Sequence, residues 1–396
     1  MQKITEKVLE PKFNDSFNSK KSPKIAFFIR NLDGGGAQKV IINLIKGLVK
    51  QGIVPDLVLT KIEGPFLNLI PKGVRIINLN SKQILPATIP LSRYLKQEQP
   101  DVLVANINNS NVAAVMARML SSVSTRLLLV EHSTFSFDRT IFPLKSKFLL
   151  PVLMRWLYPL ADTVVAVSNG VARDLETELC FKQGLVKTIY NPIVDDEILA
   201  KAKEPLEHPW FQPGEPPVFL TAGRLELQKN ISDLIKAFAR LRTQRSARLL
   251  ILGKGSLQNQ LKSLAEELGV ESDVSIAGFV ANPYAYMSRS AAFVLSSIYE
   301  GLPTVLVEAM ASGCPVVSTN CPHGPAEILQ DNKYGLLVPV NNPIALAEAM
   351  QIMMDNPTNQ QLLAQRAKDF TVDRVVEQYL KTMQYCEGFA YKRENQ

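Results

Sequence analysis

The chain is poor in the residues that mark several protein classes. It has four cysteines, Cys180, Cys314, Cys321 and Cys386, in 396 residues. None forms a Cys-x-x-Cys pair, so neither a zinc ribbon nor a redox dithiol is indicated, and reduced thiols in a cytoplasmic setting are expected. Histidine occurs three times, too rarely for chemistry that needs several cleft acids and bases. No Asp-x-Asp occurs anywhere, so a metal-bridged diphosphate has no obvious ligand, and neither a metal nor a cofactor is expected. No run reaches the ~20 apolar residues of a spanning helix. The longest apolar region, 142–160, is broken by Lys145, Lys147 and Arg155. The first residues carry charge throughout and lack an apolar core, so they do not read as a secretory signal. Residues 1–22 are expected to be a disordered leader.

What remains is ordinary globular material, 46% hydrophobic and 20% charged, with a formal net charge of +7. At roughly 150 residues per domain the length suggests two domains. The basic balance favours phosphates or anionic lipid without choosing between them. Short runs with wholly apolar centres, such as KIAFFIR (24–30), DVLVAN (101–106) and RLLLVEH (126–132), alternate with stretches at helical spacing, which predicts buried parallel strands. Residues 194–216 are polar and proline-rich, and read as a linker. The alternation then restarts with PVFLTAGR. Two successive runs predict an α/β chain of two Rossmann-like doubly wound domains facing a central cleft. The expected boundaries are 23–193 for the first and 217–370 for the second. The segment 371–396 would be a helix that crosses back to the first.

The most informative segment is SSIYEGLPTVLVEAMASGCPVVSTNCPHGPAEIL (296–329). Glu300 follows an apolar strand, Pro303 suits a helix start, and Glu308 lies on the helix that follows. Two carboxylates there can accept hydrogen bonds from sugar hydroxyls, while free N–H groups at Thr304 and Val305 face a diphosphate. Arg224 and Lys229 leave the end of another strand, placed to neutralise a leaving diphosphate. Gly34, Gly35 and Gly36 follow the first strand, where glycine lets backbone N–H groups approach a phosphate. A dinucleotide fingerprint would need a third glycine at Lys39, which argues against a dehydrogenase.

The segment resembles the nucleotide-sugar signature of family 4 glycosyltransferases: Glu, seven residues, Glu, then Ala-Met-Ala-x-Gly-x-Pro-Val-Val. TAGRLELQKNISDLIKAF (221–238), LILGKG, GFVANPYAYM (278–287) and YNPI match the same family in the same order, and NLDGGGAQKVIINL and ADTVVAVSNG match its first half. The resemblance implies a GT-B fold and sugar transfer with retention, without a metal, from a nucleotide sugar expected to be UDP-linked. It implies that Glu308 anchors the ribose, Glu300 positions the donor sugar, and Arg224 and Lys229 stabilise the departing UDP. His132, at a strand end, would contact the donor sugar. Gly35 and Gly36 belong to the glycine loop of the cleft. Gly278, Phe279 and Val280 look like a turn whose backbone pairs with the base, although Phe279 as plain core reads equally well. His323-Gly324 stands where many relatives have Gly-Gly, a departure seen in a branch that acts on N-acetylhexosamines.

The expected function is therefore transfer of a hexose or N-acetylhexosamine to a lipid-linked or polysaccharide-precursor acceptor, with no nucleic-acid partner. The alternatives are a non-hydrolysing nucleotide-sugar epimerase of the same fold and a catalytically dead basic binding protein. The stretch 142–162 mixes cations with Phe, Leu, Met and Trp156. It reads either as a helix packed on the sheet or as a contact with an anionic membrane, which would put the chain on the inner face of the cytoplasmic membrane. Oligomeric state is not legible.

Overall fold

The computed structural model describes residues 22–141 and 144–384. The expected leader, apart from Ser22, and the end of the last segment, 385–396, lie outside them. The first sheet contains β1 (Ile25–Ile29), β2 (Asp56–Leu59), β3 (Arg75–Asn78), β4 (Val102–Asn106), β5 (Arg126–Glu131), β6 (Thr163–Ala166) and β7 (Val186–Thr188), in the order 3-2-1-4-5-6-7. The second contains β8 (Val218–Ala222), β9 (Arg248–Leu252), β10 (Val274–Gly278), β11 (Ala292–Leu295), β12 (Val316–Thr319) and β13 (Leu336–Val338), in the order 10-9-8-11-12-13. All pairings between these strands are parallel, for example Phe27 beside both Leu57 and Val104. The inner strands are buried along their whole length because helices cover both faces, so they read as continuous apolar runs.

Each sheet reverses its strand order once, between β1 and β4 and between β8 and β11. A crevice opens beyond the carboxyl ends of the strands at such a point, and ligands bind there. The fold class read from the sequence is therefore the fold observed.

The predicted linker differs from the structure. Residues 194–216 contain the helix Asp196–Ala202, capped by Asp195, whose Oδ1 accepts from the Ile198 N–H at 2.9 Å. They also contain a 3-10 turn, Pro209–Phe211. This segment is fastened to the second lobe. Ser288 Oγ donates to the Ala202 carbonyl at 2.7 Å, Phe211 meets Tyr286 edge-on at 5.8 Å, and the Arg248 guanidinium lies over Trp210 at 5.1 Å. The prolines hid three apolar anchors, Ile198, Trp210 and Phe211. The helix Val372–Gln384 returns to the first lobe and packs on the helix Gly36–Lys50. Gly47 permits the contact, because a Cβ there would stand 2.6 Å from both Val372 and Val376.

Candidate active site

The second lobe brings charged groups to its switch point. β8 leads into Arg224 and then a 3-10 turn, Leu227–Lys229, and β11 leads into Ser296, Ser297 and Glu300. Lys229 Nζ lies 2.5 Å from Glu300 Oε1, with side chains only 16% and 9% exposed. Ser297 Oγ donates to the same carboxylate oxygen at 2.6 Å, and Ser296 Oγ donates to the Lys229 carbonyl at 2.8 Å. Arg224 is exposed nearby, close enough to Tyr299 and Glu226 to act on both electrostatically. The three strand ends β8, β9 and β10 crowd together through glycine. A Cβ on Gly253 would stand 1.8 Å from the Gly223 carbonyl oxygen, and the Gly253 N–H donates to the Gly278 carbonyl at 2.7 Å. Gly278 has φ +75° and turns the chain so that Phe279 is 76% exposed. Of its two readings, plain core is thereby excluded. Val280 beside it is half-buried against the core.

Glu308 sits on the helix Thr304–Ala311, whose N-terminus after Pro303 has no capping side chain. Thr304 and Val305 open that helix and are half-buried. Glu308 is buried, and its Oε1 lies 2.7 Å from Lys39 Nζ, which reaches over from the first lobe. Lys39 Nζ also lies 2.7 Å from the Tyr284 hydroxyl. Burial pulls the Lys39 pKa down, but Glu308 and Tyr284 outweigh it and raise it, so the ammonium stays charged.

Besides Lys39, the first lobe contributes neutral groups. Gly34 and Gly35 have φ of +99° and +151°, and Gly36 opens the helix with no other heavy atom within 4 Å of a would-be Cβ. His132 follows β5. Its Nε2 lies 3.0 Å from Asn106 Oδ1, and its Nδ1 is shielded from solvent with no partner among the described residues. Burial pushes the imidazole pKa down to about 4. Glu131 points the opposite way, into the lobe. It accepts from the Tyr158 hydroxyl and from Asn111 Nδ2 at 2.8 Å, and burial pushes its pKa up to about 7.

The two lobes meet around Glu300. Thr134 Oγ1 donates to the Glu300 carbonyl at 2.6 Å and Ser168 Oγ to the Gly301 carbonyl at 2.9 Å. A Cβ on Gly301 would stand 2.2 Å from the His132 carbonyl oxygen, so only glycine allows this approach. Phe137 stacks on Tyr299 at 4.7 Å. Glu327 accepts from the N–H groups of Asn169 and Gly170 and so caps a helix of the other lobe. His323 packs against Gly170 in the same contact.

Structure thus joins Lys229 to Glu300, sets His132 beside the Glu300–Gly301 turn, and pairs Glu308 with Lys39. The sequence reading missed Lys39 as a site residue, and also Tyr284, Ser297 and Asn106. Lys39 carried a signal, a cation one helical turn past a glycine loop. The others gave none, because single hydroxyls and amides are too common to single out. Among the described residues no group of three or more His, Cys, Asp or Glu side chains could hold a metal ion. No helix among them is long and apolar enough to cross a membrane.

Comparison with known proteins agrees with this geometry. Residues 34–197 match the family model described as Glycosyltransferase Family 4, and residues 203–370 match that of Glycosyl transferases group 1. A Campylobacter jejuni relative, an N-acetylgalactosamine-N,N'-diacetylbacillosaminyl-diphospho-undecaprenol 4-alpha-N-acetylgalactosaminyltransferase, is 30% identical over 87% of this chain and 94% of its own. The lipopolysaccharide core biosynthesis glycosyltransferase LpsE of Rhizobium meliloti is 25% identical over 88% of this chain and 96% of its own. Among solved structures, a glycosyltransferase of Rickettsia africae superposes with a TM-score of 0.78 at 19% identity, covering 93% of this chain and 99% of that one. Anabaena HepE in complex with UDP-glucose superposes with a TM-score of 0.75 at 20% identity, covering 91% and 99%. Neither the epimerase nor the dead-binding-protein alternative is favoured by these relatives. The chain belongs to glycosyltransferase family 4, with its GT-B fold, and is a glycosyltransferase.

Proposed function

We propose that the chain transfers a hexose or N-acetylhexosamine from a UDP-sugar to a lipid-linked or polysaccharide-precursor acceptor, with retention at the anomeric carbon and without a metal ion or cofactor. The observation that carries this reading is the Lys229–Glu300 pair, largely removed from water at the β8/β11 switch point beside Arg224. In the bound state the two cations face the diphosphate and Glu300 turns to the sugar hydroxyls. Charges fixed before reaction stabilise what develops as the bond breaks. The anomeric C–O bond breaks and its electron pair stays on the diphosphate. The acceptor oxygen bonds to the same face of the carbon, and its proton passes to the departing phosphate oxygen. Glu308 releases Lys39 to hold the ribose, and His132 meets the sugar. The acceptor class is supported by the Campylobacter jejuni relative, whose name specifies a diphospho-undecaprenol acceptor and an N-acetylgalactosaminyl group.

The membrane reading of 142–162 has a structural counterpart. Two of its residues, 142 and 143, lie outside the described residues. The helix Leu144–Leu157 buries Leu150 and Met154 and exposes Phe148, Leu149, Val152 and Trp156. Met119 and Leu120, on a helix packed beside it, are exposed too. Together with the exposed Arg155 this forms an apolar face with a basic element, suited to the surface of an anionic bilayer. The proposed location is thus the inner face of the cytoplasmic membrane.

A thermal-shift screen of nucleotide sugars in excess chelator tests the donor. UDP and UDP-hexosamines are expected to raise the melting temperature, while ADP- and GDP-sugars are not. Stabilisation by GDP- or ADP-sugars alone would overturn the UDP assignment.

A further inference from the structure

Asn106 ends β4 next to the first sheet's switch point and is buried. Its Nδ2 donates to the Val104 carbonyl at 3.2 Å, which turns Oδ1 toward His132. An amide oxygen only accepts, so the His132 nitrogen 3.0 Å away, Nε2, carries the ring proton. A neutral imidazole has one such proton, so Nδ1 is a bare acceptor. That acceptor has no partner among the described residues. A buried polar atom left this way is unfavourable until something donates to it.

Two further observations place that missing donor. The His132 backbone lies against Gly301, directly after Glu300, the residue proposed to position the sugar. Ile107, next to Asn106, has φ +75°, a left-handed conformation that a β-branched residue adopts only under strain. Strain of this kind concentrates where the chain is aimed for function. Burial also keeps the ring neutral near pH 7, and a protonated Nδ1 would not accept.

We propose that Asn106 is a positioning residue for His132: it holds the imidazole as the Nε2–H tautomer, so that Nδ1 accepts a hydrogen bond from a hydroxyl of the sugar being transferred. This rests on the reading of His132 as a sugar contact. The acceptor nitrogen selects a donor hydroxyl at that point on the sugar and discriminates against a deoxy sugar. Asn106 itself touches no substrate.

Three histidines in the chain make the test direct. The full chain is labelled with 15N-histidine, and the His132 ring is assigned by its loss in His132→Ala. At pH 8 the His132 ring is expected to show a protected Nε2–H and a pyridine-type Nδ1. UDP-N-acetylgalactosamine is expected to move the Nδ1 resonance upfield, and UDP alone to leave it in place. Asn106→Leu should lose the protected Nε2–H proton and lower kcat roughly tenfold, a small positioning loss. Asn106→Asp, which still accepts, should keep the proton and recover most of the rate. A proton on Nδ1 in the parent chain would overturn the proposal. So would an Nδ1 resonance that ignores a bound UDP-sugar, or Asn106→Leu turning over like the parent. Failure of the underlying reading looks different: His132→Ala would retain the parent rate, or no UDP-sugar would bind at all.

Discussion

Most charged side chains of the candidate site lie beyond the strand ends of the second lobe, and the first lobe brings mostly neutral ones to it. Lys229, Arg224 and Glu300 cluster beyond β8 and β11, whereas Asn106, His132 and three glycines line the ends of β4, β5 and β1. Lys39, a first-lobe cation that reaches the site, is paired with a second-lobe carboxylate. On the proposed reading, the second lobe's cations face the diphosphate and its carboxylates the sugar and ribose hydroxyls, while the first lobe adds uncharged hydrogen-bonding groups and a glycine loop. Such a division suits a donor whose diphosphate and sugar must be held by different means. Charge fixed in advance lowers a barrier only where charge develops. The largest effects of mutation are therefore expected in the second lobe.

Lys229→Ala should break the comparison most severely. It removes a cation from the leaving group, so kcat is expected to fall ~100-fold or more, as read by UDP release. Arg224→Ala should act in the same direction. A folded Lys229→Ala chain that turns over like the parent would remove the second lobe's assigned role.

Glu308→Ala ranks next and affects two quantities. Ribose contacts exist in ground and transition states alike, so the donor KM is expected to rise more than kcat falls. The structure adds a cost absent from an open cleft, since Lys39 loses its buried partner. Roughly 1–3 kcal/mol of stability is expected to go, measured by denaturant unfolding. Lys39→Met in the same background should restore part of it. An unchanged unfolding midpoint in Glu308→Ala would show the pair to be incidental.

Glu131 supplies a smaller, pH-dependent contrast within the first lobe. Burial raises its folded pKa from the ordinary 4.5 to about 7, so the fold favours the protonated acid. That contribution is complete below pH ~4.5 and is lost as pH rises through ~7. Glu131→Gln keeps an oxygen for Tyr158 and Asn111 and carries no charge. It is expected to match the parent near pH 4 and to exceed it by roughly 3 kcal/mol at pH 8. Equal stability of the two at pH 8 would deny the buried ionisation.

The smallest effect concerns the exposed helix Leu144–Leu157. Phe148→Ser with Trp156→Ser should leave donor binding intact and abolish low-salt flotation with anionic liposomes. Parent-like flotation of the double variant would separate the apolar face from membrane binding.

The same contrast explains what was legible in the sequence. Strands buried on both faces write themselves as apolar runs, so both sheets could be read, β1 from KIAFFI and β11 from AAFVLSS. Glu300 and Glu308 stood out because their spacing and the Gly-Leu-Pro between them form a long pattern. Asn106 and Tyr284 did not, because what they do depends on a partner 26 residues away for the first and 245 for the second. Long-range pairing leaves no local period. The helix within 194–216 was masked by prolines, although Asp195 ahead of Glu197 and Ile198 was a usable start signal. The interlobe role of Glu327 was invisible for the same reason as that of Tyr284, since its partners lie in the other lobe.

The central claim, retention without a metal, is tested most directly on the product. The chain is incubated with UDP-N-acetylgalactosamine and an undecaprenyl-diphosphate-linked acceptor in excess EDTA, and the new linkage is read by the anomeric proton coupling in NMR. The donor is α-linked, so an α-linked product formed at the same rate with and without chelator is the expected result. A β-linked product, or activity lost in EDTA and restored by manganese, would contradict the account.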